Sequence, residues 1–165
     1  MNPPVRGRRH LETIREALAD GTIDCIGSDH APHTLAEKNQ PYPQSPSGIP
    51  GVQTILPLLL TAVRTGWLTL ADVVRVTSEA PARVYGIRGK GRLEVGTDGD
   101  LVLVDPAVRQ PLPTAWLQSR AGWSPHVGTL LAGWPTTTVL RGSVVWRDLA
   151  PVGEPDGRPI SFEGA

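Results

Sequence analysis

The sequence predicts an α/β fold in which a β/α unit of a parallel sheet is followed by a small β-rich module. A helical pattern over residues 8–20 ends at a glycine, and a short apolar run at 22–26 leads directly into polar residues. The composition changes near residue 89, after which short strand patterns alternate with Gly and Asp turns. Helix, glycine turn, buried strand and then polar residues is the order of a β/α unit.

The first helix is predicted from the stretch "RRHLETIREALAD" at residues 8–20. Apolar side chains recur there at helical spacing, with charged side chains on the opposite face. Gly21 then supplies a C-terminal stop. The apolar stripe comprises Leu11, Ile14, Ala17 and Leu18.

The run "TIDCI" at residues 22–26 predicts a short buried strand, in which Cys25 is a small buried hydrophobic residue. Asp29 follows almost at once, at the expected carboxyl end of this strand. Ligands bind at that end of the strands in barrels and open α/β sheets. The segment "GSDHAPHT" at 27–34 is therefore the first candidate for a functional site.

Further elements follow a long polar loop at residues 31–50, whose length favours a functional role. An apolar helix is predicted in "GVQTILPLLLTAVRTG", with its proline in the first turn or at a kink. Thr69 and Asp72 form a capping-box pattern that starts a second helix, and Pro81 starts a short third one.

The β-rich module is predicted over residues 89–150. "GKGRLEVGTDGDLVLVDP" indicates a strand pair around a Gly/Asp turn, and "TTTVLRGSVVWRD" a hairpin around Arg141 and Gly142. We expect three parts: barrel-type β/α units at 1–88, the β module at 89–150, and a flexible tail at 151–165.

Composition excludes several classes of function. Sixteen basic and sixteen acidic residues cancel, which argues against nucleic acid or an anionic membrane as a partner. No apolar run is long enough to cross a bilayer, and the N-terminus has no apolar signal-peptide core, so we expect a cytoplasmic protein. A single cysteine permits neither a disulfide framework nor a cysteine-based zinc site.

Asp29, His30 and His33 do not form a convincing metal site by themselves. Catalytic zinc takes three protein ligands and an open position, and Pro32 separates the two histidines so that they need not point the same way. We expect His10 to lie on the first helix and His126 in a loop of the β module. Asp29 is then either a helix or turn cap or one ligand of a larger site. A small hydrolase with its own zinc site remains a weaker alternative.

Six stretches resemble, in order, the C-terminal portion of a class I dihydroorotase, a cyclic amidohydrolase of the amidohydrolase superfamily. They are "NPPVR" at 2–6, "DGTIDCIGSDHAPHTLAEKN" at 20–39, "SGIPGVQTILPLLLT" at 47–61, "TSEAPARVYGI" at 77–87, "GKGRLEVGTDGDLVLVD" at 89–105 and "SRAGWSPHVGTLLAGWPTTTVLRGSVVWRD" at 119–148. The resemblance implies an α/β fold, the C-terminal part of a (β/α)₈ amidohydrolase barrel plus a small β-rich domain.

The same resemblance implies the reversible cyclisation of N-carbamoyl-L-aspartate to L-dihydroorotate at a zinc centre, a step of pyrimidine biosynthesis. By this likeness Asp29 binds metal and shuttles the proton, and His33 grips the substrate carboxylate. Asn2 matches a substrate-binding amide, and Ser47 and Gly48 match a loop whose backbone faces the substrate ring. A side-chain role for Ser47 does not follow, since relatives often have Phe there.

The family's remaining metal ligands, and its arginine for the substrate carboxylate, are absent from this sequence. We therefore expect a fragment that is inactive alone, with zinc as cofactor only when other ligands are supplied. The expected partners are a small-molecule substrate and either the missing N-terminal barrel portion or further copies of the chain. Two alternatives stay open: another cyclic amidohydrolase of the allantoinase or hydantoinase kind, and a non-catalytic dihydroorotase-like subunit.

Overall fold

A computed structural model describes residues 3–164; the predicted substrate-binding residue Asn2 lies outside this range. The helices are α1 (Arg8–Ala19), α2 (Leu35–Lys38), α3 (Ile55–Arg64), α4 (Leu70–Val74) and α5 (Ala80–Val84), with a π-helical turn at Arg75–Glu79 and a 3₁₀ turn at Thr114–Trp116. The strands are β1 (Leu101–Pro111), β2 (Leu130–Leu140), β3 (Ser143–Arg147) and β4 (Ala150–Pro151). None of the described helices is both long and apolar enough to cross a membrane.

The predicted helices are present. Pro57 lies in the first turn of α3, where its missing N–H costs no hydrogen bond. The capping box at α4 is also confirmed: the Thr69 hydroxyl accepts from the Asp72 amide at 3.1 Å, and the Asp72 carboxylate accepts from the Thr69 amide at 2.9 Å. These reciprocal bonds satisfy main-chain donors that a helix start leaves unpaired.

Helices α4 and α5 form one continuous rod rather than two helices separated by a turn. The π-helical turn at Arg75–Glu79 joins them, and the Ala80 amide donates to the Arg75 carbonyl five residues back. Pro81 follows in the first turn of α5. Proline cannot donate a main-chain hydrogen bond, so the wider π turn places it where the regular pattern is already interrupted.

The predicted strand at residues 22–26 is not formed: residues 24–29 have no regular secondary structure. The Ile26 amide donates to the Val76 carbonyl at 3.1 Å, and His30 makes an isolated parallel bridge to Ile49. A parallel strand needs neighbouring strands for its hydrogen bonds, and no such neighbours occur among residues 3–164. The segment therefore lies against the helices without a ladder.

The β module is a single antiparallel sheet with the order β1-β2-β3-β4. The predicted hairpin between β2 and β3 is confirmed, and Arg141 and Gly142 both have positive φ, at 47° and 81°. The predicted strand pair over 89–106 is wrong, since the first strand begins only at Leu101. Ahead of it, Lys90 pairs with Asp98 at 2.7 Å and with Asp100, which folds this stretch into a loop.

Two apolar clusters hold the fold together, and α3 with β2 joins them. Thr61 on α3 accepts a hydrogen bond from the Ala132 amide of β2 at 2.9 Å. Gly133 allows the close approach, because a Cβ there would lie 2.7 Å from the Leu60 Cβ. The helical cluster comprises Leu18, Leu59, Ala62, Leu68, Val73 and Val76; the sheet cluster comprises Leu112, Trp116, Leu131 and Trp134.

The C-terminal segment is exposed along its length but makes specific contacts. The Arg88 amide donates to the Ser161 carbonyl at 3.0 Å, and the Glu163 amide to the Gly86 carbonyl at 2.7 Å. Arg141 also pairs with Asp156 at 3.0 Å. The segment thus touches both the end of α5 and the β2–β3 turn. Its flexibility, and the boundaries predicted for the three parts, stay predictions.

Candidate active site

Two chain segments lie side by side at the predicted site: residues 28–31 and the loop at 48–51. The Ala31 amide donates to the Ile49 carbonyl at 3.2 Å. A Cβ on Gly48 would lie 2.7 Å from the Ala31 Cβ, and one on Gly51 would lie 2.7 Å from the Ser28 carbonyl oxygen. Both glycines are buried, and their lack of a side chain allows the two main chains to lie in direct contact.

Asp29 is exposed and has a left-handed backbone conformation, with φ of 44°. Such a conformation is uncommon for residues other than glycine, and Asp and Asn tolerate it best. The helix-cap alternative does not hold, because the next helix begins at Leu35 and is capped by Thr34. Within residues 3–164 the Asp29 carboxylate accepts no hydrogen bond from another protein group. It is therefore available to a ligand.

His30 holds two chain segments together. Its Nδ1 accepts hydrogen bonds from the amides of Gly51 and Val52, at 3.1 and 3.2 Å. His30 therefore fixes the loop at 48–51 beside the Asp29 segment.

His33 is half-buried and precedes α2, a helix that the sequence analysis missed. Its main-chain carbonyl accepts from Nε1 of Trp123 at 2.7 Å. Thr34 and Glu37 form a capping box at the start of α2. The side-chain and main-chain hydrogen bonds from Thr34 lower the pKa of Glu37, and the nearby charge of His33 adds a smaller effect in the same direction.

The two loop residues predicted to face substrate differ in their surroundings. Ser47 is exposed, whereas Gly48 is buried and has φ of 116°, a conformation that favours glycine. The Lys38 ammonium holds this loop through two main-chain carbonyls, that of Pro46 at 2.6 Å and that of Gly48 at 3.2 Å. Lys38 thereby ties α2 to the loop that lies beside Ala31.

The described residues do not complete a metal site. No group of three or more His, Cys, Asp or Glu side chains suited to a metal occurs between residues 3 and 164. His10 is exposed on α1, and His126 is half-buried in the β module, where burial lowers the pKa of its imidazole. One carboxylate does not hold zinc against water, since catalytic sites use three protein ligands. Asp29 fits zinc only as one member of a larger donor set.

A groove of about 530 Å³ lies between the start of α3 and the sheet, but it is not the predicted site. Its mostly apolar lining includes His30, Gln53, Trp116 and Trp146, and neither Asp29 nor His33 contributes to it. The predicted site residues Asp29 and His33 therefore lie outside this groove, on the segment beside the loop at 48–51.

Sequence reasoning missed three residues that hold these segments in place: Lys38, Gln53 and Trp123. The Gln53 side chain donates to the Trp116 carbonyl at 2.6 Å and accepts from the Gln118 amide at 2.9 Å. Together with the bond from Trp123 to His33, it attaches the loop after the 3₁₀ turn to the site. These contacts span 63 to 90 residues of sequence, and no local pattern could have indicated them.

An exposed acid and a half-buried histidine thus follow α1, and a loop of the β module is bonded to the main chain of the histidine. The sequence matches the amidohydrolase family over residues 5–145, and the chain belongs to that family. The predicted fold class is thereby confirmed.

Within the family, the chain is similar to dihydroorotases. It is 45% identical over 166 residues to a dihydroorotase of Methanosarcina mazei, covering 99% of this chain and 36% of that protein. The dihydroorotase of Halobacterium salinarum is also 45% identical, with 97% and 37% covered. The dihydroorotase of Bacillus cytotoxicus is 39% identical, with 89% and 34% covered.

Solved structures similar to this chain include hydantoinases. The L-hydantoinase of Arthrobacter aurescens superposes with a TM-score of 0.88 at 33% identity, covering 93% of this chain and 35% of that one. The D-hydantoinase of a Thermus species gives 0.83 at 32% identity, with the same coverage. The chain thus spans about a third of the length of the relatives it matches.

Proposed function

We propose that this chain supplies the last β/α units and the β domain of a dihydroorotase, and that the assembled enzyme cyclises N-carbamoyl-L-aspartate to L-dihydroorotate reversibly. The observation that carries the proposal is the Asp29 carboxylate, exposed and unpaired within the described residues, in a chain that is 45% identical to a dihydroorotase over 166 residues. The step belongs to pyrimidine biosynthesis, and we place it in the cytoplasm.

Asp29 is the proposed proton carrier of the reaction. In the direction of ring opening it takes a proton from the attacking water and returns it to the leaving ring nitrogen, as general base and then general acid. Zinc, held by Asp29 together with ligands from the rest of the barrel, would polarise the ring carbonyl and acidify that water. The exposure of Asp29 supports this role, because a carboxylate engaged by the protein could not reach either atom.

Substrate recognition is assigned to the neighbouring residues. His33 would bind the ring carboxylate, and the main chain at Ser47 and Gly48 would contact the dihydropyrimidine ring. The close packing of Gly48 on Ala31 supports this assignment, since it brings the loop beside the segment of Asp29 and His33. Asn2 is proposed as a further substrate-binding amide from the resemblance alone.

The remaining units of the barrel would come from an N-terminal portion, whether on the same or another polypeptide, or from further copies of this chain. Two features of the described residues support such a partner. The N-terminal half of the apolar stripe of α1 is uncovered, with Leu11 40% and Ile14 42% exposed, whereas Leu18 is buried. Residues 24–29 also lack the strand neighbours that a parallel barrel would provide. Covering both features requires additional β/α units.

A hydantoinase-like activity is the second candidate, and the structural similarity to hydantoinases favours it. The two candidates differ in the substrate, because dihydroorotate carries a ring carboxylate and an unsubstituted hydantoin does not. His33 is the residue proposed to distinguish them, because its imidazole can bind the ring carboxylate that an unsubstituted hydantoin lacks.

The test is co-expression of this chain with the N-terminal portion of a related dihydroorotase, followed by assays of carbamoyl-aspartate cyclisation and hydantoin hydrolysis. We expect cyclisation that requires both polypeptides and is lost in Asp29→Asn. Turnover of hydantoin alone would favour the second candidate. Cyclisation by this chain without a partner, or by the Asp29→Asn complex, would contradict the proposal.

A further inference from the structure

The loop at residues 117–127 of the β module reaches the His33 segment through the side chain of Trp123. Nε1 of Trp123 donates to the His33 carbonyl at 2.7 Å, across 90 residues of sequence. The loop is itself held at its start, where Gln53 bonds both the Trp116 carbonyl and the Gln118 amide. Trp123 therefore projects from an anchored loop and is half-buried against its target.

The main chain around His33 is held at three successive points, and Trp123 provides the middle one. Before it, the Ala31 amide donates to the Ile49 carbonyl. After it, the Thr34 amide donates to the Glu37 carboxylate at 2.7 Å. Pro32 has no amide to contribute. The orientation of the His33 peptide, and with it the direction of the Cα–Cβ bond, is therefore fixed at the carbonyl.

We propose that Trp123 is a positioning residue for His33, so that the β module sets the placement of the imidazole that recognises the substrate carboxylate. The inference rests on the proposed function of His33. Its physical basis is that a binding group contributes fully only in its productive geometry, and a misplacement of about 1 Å can cost about a hundredfold in catalytic efficiency. A hydrogen bond to the carbonyl of the same residue restricts such displacement without contacting substrate.

Kinetics of the co-expressed complex test the inference. Trp123→Phe keeps an aromatic ring and removes the N–H donor, and we expect KM for dihydroorotate to rise about tenfold, the scale of one hydrogen bond, with kcat little changed. Trp123→His retains a ring N–H and should recover part of the loss. Gln118→Ala is the matched control, because that side chain is exposed in the same loop and its main-chain bond remains.

A double-mutant cycle separates positioning from general stabilisation. If Trp123 acts through His33, Trp123→Phe should have little further effect on KM in a His33→Asn background. Additive effects of the two substitutions would overturn the inference, as would an unchanged KM in Trp123→Phe alone.

Hydrogen exchange on the full chain provides a reading that does not depend on activity. We expect the amides of Ala31 and Thr34 to exchange faster in Trp123→Phe than in Gln118→Ala, while amides of the sheet cluster are unchanged. Equal exchange in the two variants would overturn the inference. An inactive wild-type complex would count against the proposed function instead, and exchange would still decide whether Trp123 holds the His33 segment.

Discussion

Gly48 packs directly on Ala31: a Cβ added to the glycine would lie 2.7 Å from both the Ala31 Cβ and the Ala31 carbonyl oxygen. The φ of Gly48 is 116°, so conformation and space both require glycine there. This contact joins the proposed substrate loop to the segment that carries Asp29 and His33. The proposed site therefore depends on a junction of two main chains.

The first prediction concerns Gly48→Ala. We expect the free energy of unfolding to fall by about 3 kcal/mol, because the alanine would be strained at this φ and would collide with main-chain atoms. The lowered thermal midpoint can be measured on the full chain. Gly96→Ala is the matched control, since Gly96 has φ of 96° and no atom within 4 Å of the added Cβ. Equal losses in the two variants would mean that the Ala31 contact contributes nothing.

The second prediction concerns Lys38→Met, which keeps the aliphatic stem and removes both donors to the loop carbonyls. We expect the loop at residues 45–49 to become more mobile and the free energy of unfolding to fall by about 1–2 kcal/mol. Both lost hydrogen bonds come from a charged group. Faster exchange of the Ala31 amide would report it. Arg9→Met removes an exposed cation from α1 and should leave that amide unchanged. Matching exchange rates would refute the role given to Lys38.

The third prediction isolates the chemistry of Asp29. Asp29→Asn preserves the left-handed backbone, so we expect stability within about 0.5 kcal/mol of wild type. The assembled enzyme should nevertheless lose at least about a hundredfold in kcat, because the amide cannot accept a proton. Asp148→Asn is the matched control, being an exposed aspartate with φ of 51°. Equal activity in both variants would remove Asp29 from the mechanism.

The fourth prediction is a pH dependence set by Asp100 and Lys90. The hydrogen bond from Lys90 lowers the pKa of Asp100, with a smaller contribution from the Arg141 amide. A carboxylate whose folded pKa lies below its unfolded value contributes stability above the unfolded pKa, about 4, and loses it as the pH falls through the folded pKa. The thermal midpoint should therefore drop on acidification below that value.

Asp100→Asn should reduce this fall of the thermal midpoint at acid pH, whereas Asp148→Asn should not. The basic partner behaves in the opposite sense: bonds to Asp100 and Asp98 raise the pKa of Lys90, so its contribution is complete below the unfolded pKa and is lost as the pH rises through the folded one. If the thermal midpoint of Asp100→Asn fell at acid pH as much as that of the wild type, the Asp100–Lys90 pair would not couple protonation to folding.

The fifth prediction concerns the uncovered stripe of α1. Replacing Leu11 and Ile14 together by glutamate should leave the helix intact, since glutamate is a good helix former, and should make the chain alone less prone to associate. Binding to the N-terminal barrel portion should be lost. Light scattering and co-purification measure the two effects. Arg9→Glu, an exposed change on the opposite side of α1 with the same change in net charge, should alter neither; undiminished co-purification of the double variant would show that this stripe is not the interface.

Local patterns predicted α1 and α4, although the short helix α2 was missed. The α1 stripe and the Thr69–Asp72 capping box each involve residues only a few positions apart, and the structure has both helices. The failed strand predictions involve partners farther along the chain. "TIDCI" has the composition of a buried strand but no neighbouring strand to pair with, and the stretch before Leu101 is held as a loop by Lys90 across ten residues. Strand formation depends on such partners more than helix formation does.

For the site, the sequence indicated which residues to examine but not how they are held. Asp29 and His33 follow from the resemblance, as do Ser47 and Gly48. The supporting residues Lys38 and Trp123 act through main-chain carbonyls, which any residue type presents equally. The residue type of the acceptor therefore does not indicate that such a hydrogen bond is present. Only the folded chain could reveal it.

The left-handed backbone of Asp29 has a consequence for the history of such chains. The residues that best tolerate this conformation, asparagine and glycine, are each a single base change away from aspartate. Mutation can therefore remove the carboxylate proposed to transfer the proton while leaving the backbone conformation undisturbed. A descendant with either residue at this position would persist as an assembly subunit, an inert member of a lineage of enzymes.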